Sequence, residues 1–201
     1  MNPPVEIALA ALVAFVGGSL PFAPWTARLV AKRDLRAVGD GNPGATNAFR
    51  AGCPALGFTV LLLDVTKGVL PVVFARDALG LDGAALAFVA AMPVAGAAFS
   101  PLLGFNGGKA LAALLGTWIG LTLWTIPLVA LGTVVVATRF VEPAGWAVAI
   151  ALTAMLVGVL LWVPGGWTVA TLLLQSAIVL WKHRAQLARA PRRRLAGPRT
   201  A

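Results

Sequence analysis

Apolar residues along this chain fall into long runs divided by short polar, glycine- or proline-containing breaks. A helix needs about 20 such residues to cross a bilayer, fewer where neighbours bury one end. The first run covers about Val5 to Val30, interrupted by Gly17-Gly18-Ser19 and Pro21. Glu6 stands where a cleavable signal peptide would carry a basic residue, so this run is read as a retained span. A polar, basic stretch from Ala31 to Pro54 follows, then a second span over about Ala55 to Ala75 with Asp64 and Lys67 inside it. The third covers about Gly83 to Leu103. The stretch from Ala110 to Arg139 is too long for one span and has Pro127 near its middle, which predicts two short helices over 110–122 and 125–139. A turn at Arg139 and Glu142 precedes a sixth span, about Ala144 to Val163, and a seventh runs from about Trp167 to Lys182. The expectation is an all-α, polytopic membrane protein of about seven transmembrane helices, a single domain over 1–201 with a basic tail from about 183.

Composition agrees. Hydrophobic residues make up 59% and charged residues 11%, with mean hydropathy +0.88. Soluble domains carry about 25% charged residues, and disordered chains lack the apolar surface found here. Cys53 is the only cysteine, so no intrachain disulfide forms.

The net charge of +9 changes meaning once it is mapped. Seven basic residues and no acidic ones lie from Lys182 onward, and five more lie between Arg28 and Arg50. Basic clusters flanking apolar spans follow the positive-inside rule and attract anionic lipids, which displaces a nucleic-acid reading. With the N-terminus outside and the C-terminus cytoplasmic, fourteen of the sixteen Lys and Arg fall on the inner side. Trp25, Trp124, Trp162, Trp167 and Trp181 lie near span ends, as interfacial anchors or as lipid-facing bulk.

Candidate chemistry concentrates in two loops. Gly39-Asp40-Gly41-Asn42-Pro43-Gly44-Ala45-Thr46-Asn47 is followed by Arg50. Its glycines allow backbone N–H groups to converge on an anion, and Asn42, Thr46, Asn47 and Arg50 add side-chain donors. An ordinary interhelical turn is the alternative. Asn106-Gly107-Gly108-Lys109 leads into a helix, where unpaired N–H groups and Lys109 could meet a phosphate. It is no Walker A sequence. Asp64 and Lys67 share a helix face and are read as a structural ion pair, against the functional role that charges within a span suggest by default. His183 is the only histidine, just past the seventh span, and one histidine with one cysteine argues against a metal site.

Several stretches match one family in order from the first span to the tail. They are Gly18-Ser19-Leu20-Pro21-Phe22, Asp34 to Gly39, Gly41 to Asn47, Leu63-Asp64 with Lys67-Gly68, Gly104-Phe105 with Gly107-Gly108-Lys109, and His183-Arg184. The chain thereby resembles the bacterial integral-membrane glycerol-3-phosphate acyltransferases that use acyl phosphate as donor. The resemblance implies a seven-helix inner-membrane protein, monomeric and without metal or cofactor, with its active site at the cytoplasmic face. It implies acyl transfer from acyl phosphate to the 1-hydroxyl of glycerol 3-phosphate, giving lysophosphatidic acid. Carried over, Arg50 and Lys109 would hold phosphate and His183 would complete the polar site, with Gly39, Gly41, Asn42, Gly44, Thr46, Asn47, Gly107, Gly108 and Gln186 cradling substrate.

The departures fall on polar positions. Family members usually carry Ser at Asp40, a Gly-His pair at Gly96-Ala97, Lys or a similar residue at Asn106, Gly-Val-Ala-Thr at Ala110 to Ala113, and Asn at Gln186. A carboxylate ~5 Å from a phosphate charge would cost ~3 kcal/mol at an effective dielectric near 20. Asp40 has three readings: an ion-pair partner of Arg50 or Lys109, a protonated acid, or a general base. A family member that has lost activity and binds a phosphorylated lipid or another membrane protein is the alternative function. An acyltransferase with a different acceptor is another.

Overall fold

The computed structural model describes residues 3–51, 54–163 and 165–194. Cys53 and the last seven residues of the expected tail lie outside them. The described residues are predominantly helical. In chain order the helices are α1 (Pro3–Ser19), α2 (Phe22–Thr26), α3 (Ala45–Arg50), α4 (Pro54–Val73), α5 (Gly83–Ala98), α6 (Leu111–Thr122), α7 (Thr125–Phe140), α8 (Ala144–Trp162) and α9 (Gly166–Leu187).

Among the described residues, four helical segments are long and apolar enough to cross a membrane: Pro3–Ala31, Pro54–Ala78, Gly83–Leu103 and Ala144–Trp162. α6 and α7 are shorter apolar helices, separated near Leu123, as the length of the 110–139 run requires. α9 is less apolar. It buries Thr168, Thr171, Gln175 and His183 and continues to Leu187, five residues into the segment expected as tail.

α4 packs along α6, α1 along α5, α7 along α8, and α9 against α5 and α8. Lipid offers no hydrophobic incentive for helices to associate, so close approach over small residues takes its place. At the α4–α6 crossing, a Cβ on Gly68 would strike the Ala113 carbonyl, and one on Gly116 would strike the Val65 carbonyl. Gly18 and Gly96 let α1 and α5 meet in the same way. One buried polar chain is satisfied across helices: Trp118 Nε1 donates to Gln175 Oε1 at 2.9 Å, and Gln175 Nε2 donates to the Ala90 carbonyl at 2.9 Å. Leu12, Val13, Phe58, Leu62, Leu160 and Leu161 point outward, an apolar perimeter suited to lipid.

Two features depart from the helical reading. The turn expected at Arg139 and Glu142 is instead the end of α7 followed by a strand, β1 (Val141–Glu142), which pairs antiparallel with β2 (Arg192–Arg193). The Arg194 amide donates to the Phe140 carbonyl at 2.8 Å, and Trp146 Nε1 donates to the Arg189 carbonyl at 2.8 Å. Part of the basic tail is thereby pinned to the start of α8. Residues 31–51 of the polar stretch also hold defined structure, with a 3₁₀ turn at Leu35–Ala37 and the short α3.

Candidate functional site

The first loop is built around its glycines and Asn47. Gly39 and Gly41 adopt positive φ, +59° and +71°, which a side chain would resist. At Gly39 a Cβ would also collide with Asn47 Oδ1 and Arg50 Nη1. Asn47 is fully buried. Its Nδ2 donates to Asp40 Oδ1 and to the Asn42 carbonyl, both at 2.9 Å, while its Oδ1 accepts from Arg50 Nη1 at 3.4 Å. Buried in the centre of the loop, it holds Asp40, Asn42 and Arg50 in fixed relation.

The second loop arrives from the turn between α5 and α6. Gly107 lies so close to the end of α5 that a Cβ would meet the Ala97 carbonyl, and the Gly108 amide donates to that carbonyl at 3.0 Å. Lys109 follows, and its Nζ donates to Asp40 Oδ2 at 2.7 Å. This bond joins residues 69 positions apart. Burial opposes ionisation of Asp40, but the Lys109 hydrogen bond and charge, the Asn42 amide and the Asn47 side chain together hold its carboxyl at about 2. Asp40 is therefore a carboxylate at neutral pH, paired with Lys109, whereas Arg50 pairs with Asn47.

His183, in the penultimate turn of α9, is 2% exposed. Its Nδ1 lies 2.8 Å from the Val179 carbonyl. A carbonyl only accepts, so Nδ1 carries a proton, which fixes the ring and directs Nε2 outward from that bond. One turn on, Gln186 has a buried Oε1 with no hydrogen-bond partner among the described residues. Gly145 of α8 makes room for it, since a Cβ there would press on the Gln186 side chain.

Asp40, Asn42, Gly44, Thr46, Arg50, Gly108, Lys109, His183 and Gln186 all face one cavity of about 980 Å³. Gly39, Gly41, Asn47 and Gly107, also expected as binding residues, do not line it. Gly39 and Asn47 lie behind its wall with their contacts used to shape the loop, and Gly41 and Gly107 face a neighbouring polar hollow. The expected Asp64–Lys67 pair is present at 2.6 Å, with Lys67 Nζ 5.1 Å from the Phe22 ring centroid. Both residues also line the cavity, so the pair forms part of its wall. Away from the cations the cavity extends between α7 and α8, where Leu131, Val134, Val148, Leu152 and Met155 give an apolar limb.

Sequence reasoning missed the rim. Glu142, Arg189, Arg192 and Arg194 all reach the cavity, with Arg194 Nε 2.8 Å and Arg192 Nε 3.7 Å from the Glu142 carboxylate. In the sequence they show only as a lone acid between two apolar helices and an arginine-rich tail, a pattern that predicts a turn and a lipid-attracting segment. Ser19 and Ser100 were missed as well. Both line the cavity, and Ser100 Oγ donates to the Ser19 carbonyl at 2.6 Å.

The sequence and the helical architecture are both similar to those of known proteins. The sequence profile of the family described as "Glycerol-3-phosphate acyltransferase" matches residues 8–192. A glycerol-3-phosphate acyltransferase of Agrobacterium fabrum is 37% identical over 188 residues, 92% of this chain and 89% of that one. One from Jannaschia sp. (strain CCS1) is 47% identical over 124 residues, 62% of this chain and 60% of that one. The crystal structure of PlsY (YgiH), an integral membrane glycerol 3-phosphate acyltransferase in its glycerol 3-phosphate form, superimposes with a TM-score of 0.82. It is 26% identical in sequence, covering 92% of this chain and 91% of that one. With the profile spanning nearly the whole chain and the helical architecture matched, the chain belongs to the glycerol-3-phosphate acyltransferase family of integral membrane proteins.

Proposed function

We propose that this chain moves an acyl group from acyl phosphate to the 1-hydroxyl of glycerol 3-phosphate, releasing lysophosphatidic acid and inorganic phosphate. The observation that carries the reading is the shared cavity. Arg50, Lys109, His183 and Gln186 come from three separate segments and face one space whose other limb is apolar. A substrate pair with phosphate heads and one long acyl chain has that division of chemistry. The A. fabrum and Jannaschia relatives and the superimposed crystal structure carry the acyltransferase name, which supports the acceptor.

In this reading the glycerol hydroxyl attacks the acyl carbonyl carbon, a C–O bond forms, and the acyl–phosphate C–O bond breaks. The hydroxyl proton ends on the departing phosphate, either directly or by way of His183 Nε2. Asp40 is too weak a base for that step, since catalytic bases work best with pKa values near the operating pH and its carboxyl is held at about 2. Arg50 and Lys109 neutralise the phosphates, and Gln186 and the loop donors orient the acceptor. Positioning and charge stabilisation supply the acceleration, because the acyl group arrives already activated. Asp40 acts as the counter-ion of Lys109, which offsets the repulsion a lone carboxylate would exert on phosphate.

The remaining family expectations belong to the same reading: one domain, seven spans with α6, α7 and α9 completing the count, and the N-terminus outside. The cavity then opens at the cytoplasmic face of the bacterial inner membrane, the anionic leaflet attracts the basic tail, and the protein works as a monomer. One observation favours a rival. The Asp40 carboxylate occupies the Lys109 ammonium, which suits a member that binds a phosphorylated lipid or accepts a less anionic substrate without this turnover. Purified protein in bilayer nanodiscs, given acyl phosphate and isotopically labelled glycerol 3-phosphate, decides between them. Labelled lysophosphatidic acid is expected by mass spectrometry. A folded protein that yields none removes the reading.

A further inference from the structure

Beside the main cavity lies a second hollow of about 390 Å³, lined by Arg36, Asn106, Lys109, Lys182 and Arg184, with Asp40 the one carboxylate among its described lining residues. Asp40, Asn42, Pro43 and Lys109 line both spaces, so the Asp40–Lys109 pair forms the partition between them. Within one turn of α9, His183 lines the first cavity, whereas Lys182 and Arg184 line the second.

Lys109 is paired with Asp40, but Arg36, Lys182 and Arg184 have no carboxylate partner among the described residues. Arg36 Nη2 donates to the Asn106 carbonyl at 3.4 Å, and Lys182 Nζ donates to the Ala98 carbonyl at 3.0 Å. Arg184 Nη1 donates to the Trp181 carbonyl at 3.0 Å, with its guanidinium 4.6 Å from the Trp181 ring centroid. Among the described residues none of the three pairs with a carboxylate; the ion pairs present involve Lys67, Arg76, Lys109, Arg192 and Arg194. Each guanidinium has five donors, and an ammonium three. Most of these are left for a ligand. Three uncompensated cations around one concavity fit a dianion with several acceptor oxygens, which is the chemistry of a phosphate group.

We propose that this hollow is a second phosphoryl-binding site, separated from the main cavity by the Asp40–Lys109 pair. The phosphate is either free inorganic phosphate or the headgroup of an anionic phospholipid. The proposal concerns binding alone and stands whether or not the main cavity supports turnover.

Equilibrium dialysis of the intact protein in neutral detergent against radiolabelled inorganic phosphate tests it. Two classes of binding are expected. The double variant Arg36→Gln/Arg184→Gln weakens one class at least about tenfold, as loss of charge-assisted donors predicts, while Arg50→Gln weakens the other. Arg36→Lys/Arg184→Lys retains most of the first class, which separates lost charge from a damaged fold. Arg28→Gln/Arg33→Gln removes the same charge outside the hollow and leaves both classes in place. A single class lost with Arg50→Gln alone overturns the proposal. So does an equal effect of the two charge-matched glutamine pairs. In nanodiscs, replacing part of the phosphatidylcholine by phosphatidylglycerol identifies the source. Competition with the class that depends on Arg36 and Arg184 assigns the site to a headgroup, and undiminished binding there assigns it to free phosphate.

Discussion

The α4–α6 crossing and the Gly39–Arg50 loop both depend on glycine, for opposite reasons. At the crossing Gly68 and Gly116 sit in regular helix, and the space beside them is filled by the partner backbone. In the loop Gly39 and Gly41 supply left-handed backbone, so that side chains around them can converge. The crossing has no slack because both obstacles are main chain, and packed interiors relax little. The loop is held by polar contacts, Asp40 with Lys109 and Asn47 with its neighbours, which substitution can break one at a time. The packing therefore assigns stability to the first region, and the proposed function assigns affinity to the second.

Substitutions that separate these two properties sharpen the comparison. The largest effect is expected from Gly116→Val, which drives a branched side chain into the Val65 carbonyl. Overpacking of this kind destabilises by about 3 kcal/mol, seen as a large fall in the thermal unfolding temperature of detergent-solubilised protein. An unchanged unfolding temperature would break the contrast at its scaffold side. Next come Arg50→Ala and Lys109→Ala. Each is expected to lower turnover by about 100-fold or more, in the range seen when a charge-stabilising donor is removed, with thermal stability near that of the parent. Loss of folding in both would place the loop cations in the scaffold instead.

Asp40→Ser is expected to act more mildly and in the other direction. It releases Lys109 from its 2.7 Å partner, so apparent affinity for glycerol 3-phosphate should rise about tenfold, the equivalent of 1.4 kcal/mol. A fall in steady-state turnover would show that the carboxylate contributes positively to the reaction. The smallest effect concerns pH. The Asp40 carboxyl is lowered from 3.8 to about 2 in the folded chain. A depressed folded-state pKa contributes stability that is complete above the unfolded value and lost as pH falls through the folded one. The stability difference between the parent and Asp40→Asn should be flat above pH 3.8 and narrow between 3.8 and about 2. A difference that changes instead near neutral pH would remove Asp40 as the titrating group.

The helices were legible because their causes are local. Apolar runs of spanning length, divided by charge and proline, predicted the long helices, and Pro127 in an overlong run marked two short ones, as found in α6 and α7. The glycine loops were legible as loops, since glycine and asparagine next to each other signal turns. The β1–β2 ladder was not, because two residues on each side carry no periodicity. The role of Asn47 was hidden for a similar reason. It was expected to touch substrate, yet its buried amide is spent on Asp40, Asn42 and Arg50, and no local pattern distinguishes an asparagine that binds from one that braces.

Composition and order of residues were sufficient to establish a membrane-embedded helical chain with cationic glycine loops, because hydropathy and turn chemistry act over a few residues at a time. Which loops share a cavity, which cation Asp40 neutralises, and that Glu142 reaches the arginines of the tail depend on contacts across 50 to 70 positions of chain. Those contacts follow from how closely the helices approach one another. That distance is fixed by backbone meeting backbone at glycine crossings, and it exists only once the bundle has formed.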